Sequence, residues 1–178
     1  MIMSIQKPRV VFPFVEAGFG HIMAERSIAD AFEKKYGEYF EVVRSDFFKE
    51  SGSKPMQKYE IRLCEEVKYN RFNLYGYMTI AAMNIFGVRI SSWFVMSKLY
   101  KGLFKDSMKH MEELNPDCVV STHWATNYYA ERLKKKNGGK KPYTVMYGPD
   151  AHLNTMFRYP CDLDTISIPE GYERALRY

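Results

Sequence analysis

The stretch from Val10 to Gly37 limits the possible folds more than any other. Val10-Val11-Phe12-Pro13-Phe14-Val15 is an apolar, strand-like run, and Ala17-Gly18-Phe19-Gly20-His21 follows it as a glycine-rich turn. Behind the turn, Ile22, Glu25, Ile28, Ala29, Phe32 and Tyr36 recur at three- and four-residue steps and share one helix face, which Gly37 closes. Strand, tight turn and helix in that order place backbone N–H groups and a positive helix end at the mouth of a parallel sheet. Phosphates and other anions bind at such mouths. His21 reads as the first helical residue, so its ring is expected in that mouth. Pro13 lacks a ladder donor, which implies a strand end or bulge there.

The same rhythm continues along the chain. Tyr39-Phe40-Glu41-Val42-Val43 reads as a second strand ending at Ser45-Asp46, and Cys118-Val119-Val120 as a third ending at Ser121-Thr122-His123. Tyr143 to Tyr147 reads as a fourth before Gly148-Pro149-Asp150, and Thr165 to Ile168 as a fifth. A helix pattern through Met108, Met111 and Leu114 stops at Asn115-Pro116-Asp117. Another runs from about Thr126 to a Gly138 cap with Lys134, Lys135 and Lys136 in its last turn, and a third opens at Pro169. Alternating strands and helices predict a doubly wound, mostly parallel, Rossmann-like α/β sheet with helices on both faces. A chain of 178 residues suits one such domain, so residues 1–178 read as a single unit.

Between the second and third strands lies an insertion, about 58–114, far longer than an ordinary crossover. It is crowded with aromatics and methionines and broken by Gly76 and Gly87 into short helical pieces. Trp93, Phe94 and Tyr100 with Lys98 and Lys101 fit either a packed core or a membrane-facing surface. The longest apolar run, Tyr77 to Val88, falls short of the roughly twenty residues of a membrane span, so no bilayer crossing is expected. The net charge of +5 favours an anionic partner without choosing among phospholipid, nucleotide and nucleic acid. Cys64, Cys118 and Cys161 are odd in number and widely spaced, which argues against disulfides or a zinc site and fits a reducing cytosol.

In a parallel sheet the carboxyl ends of the strands open onto one edge. Gly18, Phe19, Gly20 and His21 fall there, as do Ser45 and Asp46, Ser121, Thr122 and His123, and Asp150 and His152. That convergence predicts a site. Met23 stands where a dinucleotide fingerprint wants its third glycine, although Asp46 falls about twenty residues on, as a ribose-binding acid would. A Walker lysine and a Gly-x-Ser-x-Gly elbow are both absent from the sequence. Ser45-Asp46 reads equally as a helix N-cap, His123 equally as a structural group, and His110 as a solvated helix residue.

Ala17-Gly18-Phe19-Gly20-His21, with Ala24 and a helix behind it, resembles the glycine-rich loop and histidine of the monogalactosyldiacylglycerol synthase and processive diacylglycerol glucosyltransferase family. Asn115 to His123 is similar to that family's Pro-Asp, apolar run and Ser-Thr-His strand end. Tyr143 to Ile168, with Asp150, His152 and Asp164 before Pro169-Glu170, looks like its aspartate–histidine–aspartate segment. The resemblance spans about Pro8 to the end. Phe19 replaces a usual glycine, Trp124 stands where proline is common, and Gly148-Pro149-Asp150 is a looser match than a plain Thr-Asp.

The resemblance implies the N-terminal acceptor half of a GT-B glycosyltransferase, inverting and metal-independent, moving a hexose to diacylglycerol or a similar lipid. His21 would be the catalytic general base, a role imidazole suits because its ordinary pKa lies near neutrality. Gly18, Phe19, Gly20, Asp46, Ser121, Thr122, His123, Asp150 and His152 would surround the lipid acceptor or an anionic group. The implied UDP-hexose donor belongs to a C-terminal domain that these residues lack or that a separate chain supplies. The chain itself would hold no cofactor or metal, bind no nucleic acid, and sit in the cytoplasm against an anionic membrane surface. Two alternatives stay open: a non-catalytic lipid- or anion-binding half-domain, and a dinucleotide-binding Rossmann domain.

Overall fold

Five strands form one all-parallel sheet in the order β2-β1-β3-β4-β5. They are β1 (Arg9–Phe14), β2 (Glu41–Asp46), β3 (Cys118–Ser121), β4 (Tyr143–Gly148) and β5 (Leu163–Ile166). The helices are α1 (Phe19–Tyr36), α2 (Phe47–Glu50), α3 (Val88–Phe94), α4 (Lys101–Leu114), α5 (Trp124–Lys136) and α6 (Pro169–Ala175). The computed structural model describes residues 6–16, 19–52, 81, 84–94, 101–149 and 159–176. The doubly wound, parallel α/β architecture is as the sequence pattern predicts.

Both faces of the sheet are covered, as parallel strands require. On one face Val10, Phe12 and Val42 pack with Ile28, Ala29 and Phe32 of α1. On the other, Val119 joins Met108 and Met111 of α4, Tyr128, Tyr129 and Leu133 of α5, and the Phe47–Phe48 pair of α2. Burying such side chains contributes about 1.5–3 kcal/mol each, so these two clusters hold the layers together. Pro13 causes no break. The ladder from β1 to β3 runs through Val10 and Val11, and Pro13 lies beyond it, where β1 pairs with β2 alone.

Helix ends follow their expected chemistry. Gly37 ends α1 because a Cβ there would sit 2.6 Å from the Glu33 carbonyl oxygen. Asn115 leaves α4 at φ 43°, the left-handed cap conformation, just before Pro116. At α5 the N–H of Gly138 bonds the Lys135 carbonyl and that of Gly139 the Lys134 carbonyl, the paired bonds of a Schellman cap.

Several boundaries move. α1 starts at Phe19, so His21 is its third residue rather than its first. α5 starts at Trp124 rather than near Thr126, because His123 caps it. β2 starts at Glu41 rather than Tyr39, because the Tyr39 and Phe40 N–H groups bond the Tyr36 carbonyl in the turn after α1, and it ends at Ser45 and Asp46 as read. β5 begins two residues early, where the Asp162 carboxylate accepts the Thr144 N–H at 2.8 Å and aligns it with β4. Of the long insertion, α3 and α4 lie among the described residues.

Candidate active site

From β1 the chain passes through α1 to β2 on one side, then returns across β1 to β3 on the other. The connections diverge there, so a crevice opens between the carboxyl ends of β1 and β3. His21, on the first turn of α1, and His123, directly after β3, face each other across it, with ring centroids 5.2 Å apart and planes at 84°.

Two reciprocal bonds hold His21. Its Nδ1 lies 2.8 Å from the Thr122 carbonyl oxygen, and the Thr122 hydroxyl donates to the His21 carbonyl at 3.2 Å. A carbonyl accepts and never donates, so Nδ1 carries the proton and the basic lone pair of the neutral ring is on Nε2. His123 has the opposite arrangement. Its Nδ1 accepts the Ala125 N–H at 3.2 Å as the N-cap of α5, which leaves the proton of the neutral ring on Nε2. Burial, reinforced by the neighbouring His21, pushes the His123 pKa down to about 3, so this imidazole stays neutral at physiological pH. The Trp124 ring, in the position where the related family commonly has proline, lies 5.9 Å from it.

At the end of β2, Asp46 is 8% exposed and its Oδ1 has no hydrogen-bond partner. It stands at the N-cap position of α2, as the sequence allowed, without a side-chain cap bond of normal geometry. Burial raises its pKa, and Glu16 and Glu50 push the same way against Lys49. Ser45 turns to the opposite face. Its hydroxyl donates to Glu50 at 2.7 Å and lies 2.9 Å from Nε2 of His110, while Glu50 also accepts the Asp46 N–H at 3.1 Å. With the serine proton on Glu50, His110 Nε2 must donate. His110 is therefore an anchored, half-buried group and not the solvated residue its helix neighbours implied, and burial lowers its pKa.

Ser121 is fully buried and its Oγ has no partner. Thr122 is buried with both polar groups engaged by His21. Gly20 is exposed with open space around its Cα, and Phe19 opens α1. Gly18, Asp150 and His152 lie outside the described residues, as do Lys98 and Tyr100; Lys101 opens α4. Trp93 and Phe94 are exposed, as are Ile85, Phe86 and Ile90. Among the described residues no group of three His, Cys, Asp or Glu side chains is placed to hold a metal ion, and no helix is long and apolar enough to cross a membrane.

Glu25 is the residue whose chemistry the sequence hid. It falls on the buried face of α1, where both its oxygens lack partners. A carboxylate in an otherwise apolar periodic face was the available signal.

An all-parallel sheet with an imidazole pair at its switch point defines a Rossmann-like ligand-binding domain with acid–base capacity. The chain belongs to the monogalactosyldiacylglycerol (MGDG) synthase family, which it matches over residues 21–150, from His21 to just beyond β4. It is thus a domain of a lipid glycosyltransferase family, with the fold of the N-terminal half of a GT-B enzyme. No curated protein and no solved structure matches it.

Proposed function

We propose that the chain is the acceptor-binding domain of an inverting, metal-independent hexosyltransferase that acts on diacylglycerol or a similar lipid. The observation that supports this reading is the bond from His21 Nδ1–H to the Thr122 carbonyl, which leaves the basic lone pair of the neutral ring on Nε2. In the reaction Nε2 takes the acceptor hydroxyl proton as that oxygen bonds the anomeric carbon of the sugar. The bond from that carbon to the UDP phosphate oxygen breaks, UDP leaves with the electron pair, and attack from the opposite face inverts the centre. The positive N-terminal end of α1 stands beside the developing charge in this reading.

Asp46 serves the acceptor in this reading, its unpartnered oxygen receiving a second hydroxyl of the lipid head. Gly18, Phe19, Gly20, His123, Asp150 and His152 are the further acceptor-contact residues of this reading. UDP-hexose is held by a donor domain, in the same polypeptide or a separate one. Ile90, Trp93 and Phe94 form an exposed apolar stripe on α3, and with Lys98, Tyr100 and Lys101 it docks the protein peripherally on an anionic cytosolic leaflet.

The test is His21→Ala in the enzyme assembled with its donor domain. Turnover is expected to fall at least about a hundredfold with the fold intact by circular dichroism. Near-normal turnover would exclude His21 as the base.

A further inference from the structure

Behind the crevice, the end of β2 carries a second group of polar side chains, reached from α2 and α4. Ser45 and Asp46 are neighbours on the strand, so their side chains leave on opposite faces. Ser45 is fully buried on the side of α4, and Asp46 has one buried oxygen without a partner.

Glu50, the last residue of α2, folds back on this strand end and holds both residues. Its Oε2 accepts the Ser45 hydroxyl at 2.7 Å and its Oε1 the Asp46 N–H at 3.1 Å. Glu50 is itself half-exposed, and a side chain with that freedom is a poor clamp unless something else orders it. His110 does so from α4. Its side chain is 12% exposed, and its Nε2 lies 2.9 Å from Ser45 Oγ and 3.6 Å from Glu50 Oε2. The buried Phe47 ring, 5.4 Å from the imidazole between centroids, keeps it in place.

The geometry shows what this group of residues can and cannot do. Ser45 and Glu50 meet His110 at the same ring nitrogen, whereas a nucleophilic triad puts hydroxyl and carboxylate on opposite nitrogens. A fully buried Ser45 hydroxyl is also out of reach of a substrate. What the bonds do hold is the peptide that carries Asp46. They run to the residue before it and to its own N–H, and none runs to its Oδ1. That oxygen is therefore aimed by its backbone, and a hydrogen bond to a ligand weakens steeply once its direction drifts.

We propose that His110 is a positioning residue for Asp46: from α4, through Ser45 and Glu50, it fixes the backbone that aims the Asp46 carboxyl at the acceptor. The inference rests on the acceptor role given to Asp46 above, and its test separates the two.

Calorimetric titration of the full chain with dihexanoylglycerol, kept below its aggregation concentration, reads acceptor affinity without a donor domain. Asp46→Ala should weaken binding about tenfold, and His110→Leu, which keeps an apolar body but loses the donor, about fivefold to tenfold. His110→Gln, whose amide nitrogen replaces Nε2 as donor, should stay within about twofold of the unaltered chain. The His110→Leu/Asp46→Ala double variant should bind no more weakly than Asp46→Ala alone, since His110 acts only through Asp46. Glu50→Ala changes a half-exposed side chain and leaves the core intact, so it should match His110→Leu and gives the same reading should the leucine variant not fold. Unchanged affinity in His110→Leu or Glu50→Ala, with Asp46→Ala weakened, would overturn the positioning role and leave the acceptor role of Asp46 standing. Equal loss in His110→Gln, or additive losses in the double variant, would show His110 acting on packing and overturn it too. No loss in Asp46→Ala, or no binding by the unaltered chain, would remove the acceptor role and this inference with it.

Discussion

Glu25 offers the sharpest test of how α1 is seated. It lies on the face that carries Ile28, Ala29 and Phe32 into the core, is 1% exposed, and has no hydrogen-bond partner on either oxygen. Burial pushes its pKa from the ordinary 4.5 up to about 7, against the pull of Arg44 and Arg26 and with a smaller push from Asp30. Between those values the folded protein keeps a proton that the unfolded chain releases. This group's contribution to stability is therefore complete below pH 4.5, declines as pH rises through 7, and stays low above it. At about 1.4 kcal/mol per pH unit, the span amounts to roughly 3 kcal/mol at pH 8. Glu25→Gln keeps the shape and removes the titration, so it should stabilise by about that amount at pH 8, or about 6–12 °C in Tm. The gain should shrink towards zero near pH 4.5. Urea unfolding of both proteins, followed by circular dichroism at pH 5 and pH 8, reads the difference directly. The comparison must be between variants because His123 works the other way: with its pKa pushed down to about 3, its neutral form loses stability as pH falls below 6.5. A Glu25→Gln effect of equal size at both pH values would refute the argument and show a carboxylate that is solvated or paired in the fold.

Two other perturbations follow from the same geometry. Ser45→Ala removes the hydroxyl that joins Glu50 to His110 and leaves both without that bond, which should cost about 1–3 kcal/mol in urea unfolding; an unchanged midpoint would mean the network is not held in solution. Replacing Ile90 and Phe94 by Asp puts charge on the exposed stripe of α3, and sedimentation with anionic vesicles should fall at least about tenfold while thermal unfolding stays unchanged; equal sedimentation would place membrane contact elsewhere.

The existence and direction of the strands were legible because each is an apolar run followed by a helical period, and parallel pairing follows from that alternation; their order across the sheet came only from the structure. Edges were less legible. Tyr39 and Phe40 looked like the start of a strand, yet their N–H groups bond back to the Tyr36 carbonyl and β2 begins at Glu41. Phe19 and Gly20 looked like turn because glycine is a poor helix former, but they form the first turn of α1. At the site, His21 and His123 were found because strand ends meet there in any such fold. What Ser121 and Thr122 do was not available: β3 ends between them, and only the fold shows Thr122 bonded to His21. The bond between Ser45 and His110 was not available at all. Those residues are 65 apart in sequence, and only the packing of α4 beside the end of β2 joins them.

The two imidazoles have opposite tautomers for reasons that lie in the backbone. A carbonyl of the β3–α5 connection accepts the hydrogen bond from His21 Nδ1–H, and an N–H of the first turn of α5 donates to Nδ1 of His123. No carboxylate takes part in either bond, unlike the arrangement in which an aspartate orients a catalytic histidine. The tautomer of each ring is thus set by the strand-to-helix transition after β3. This accounts for Thr122 being buried and doubly bonded to His21 while its neighbour Ser121 has no partner. Through its two bonds Thr122 ties the first turn of α1 to the chain just after β3.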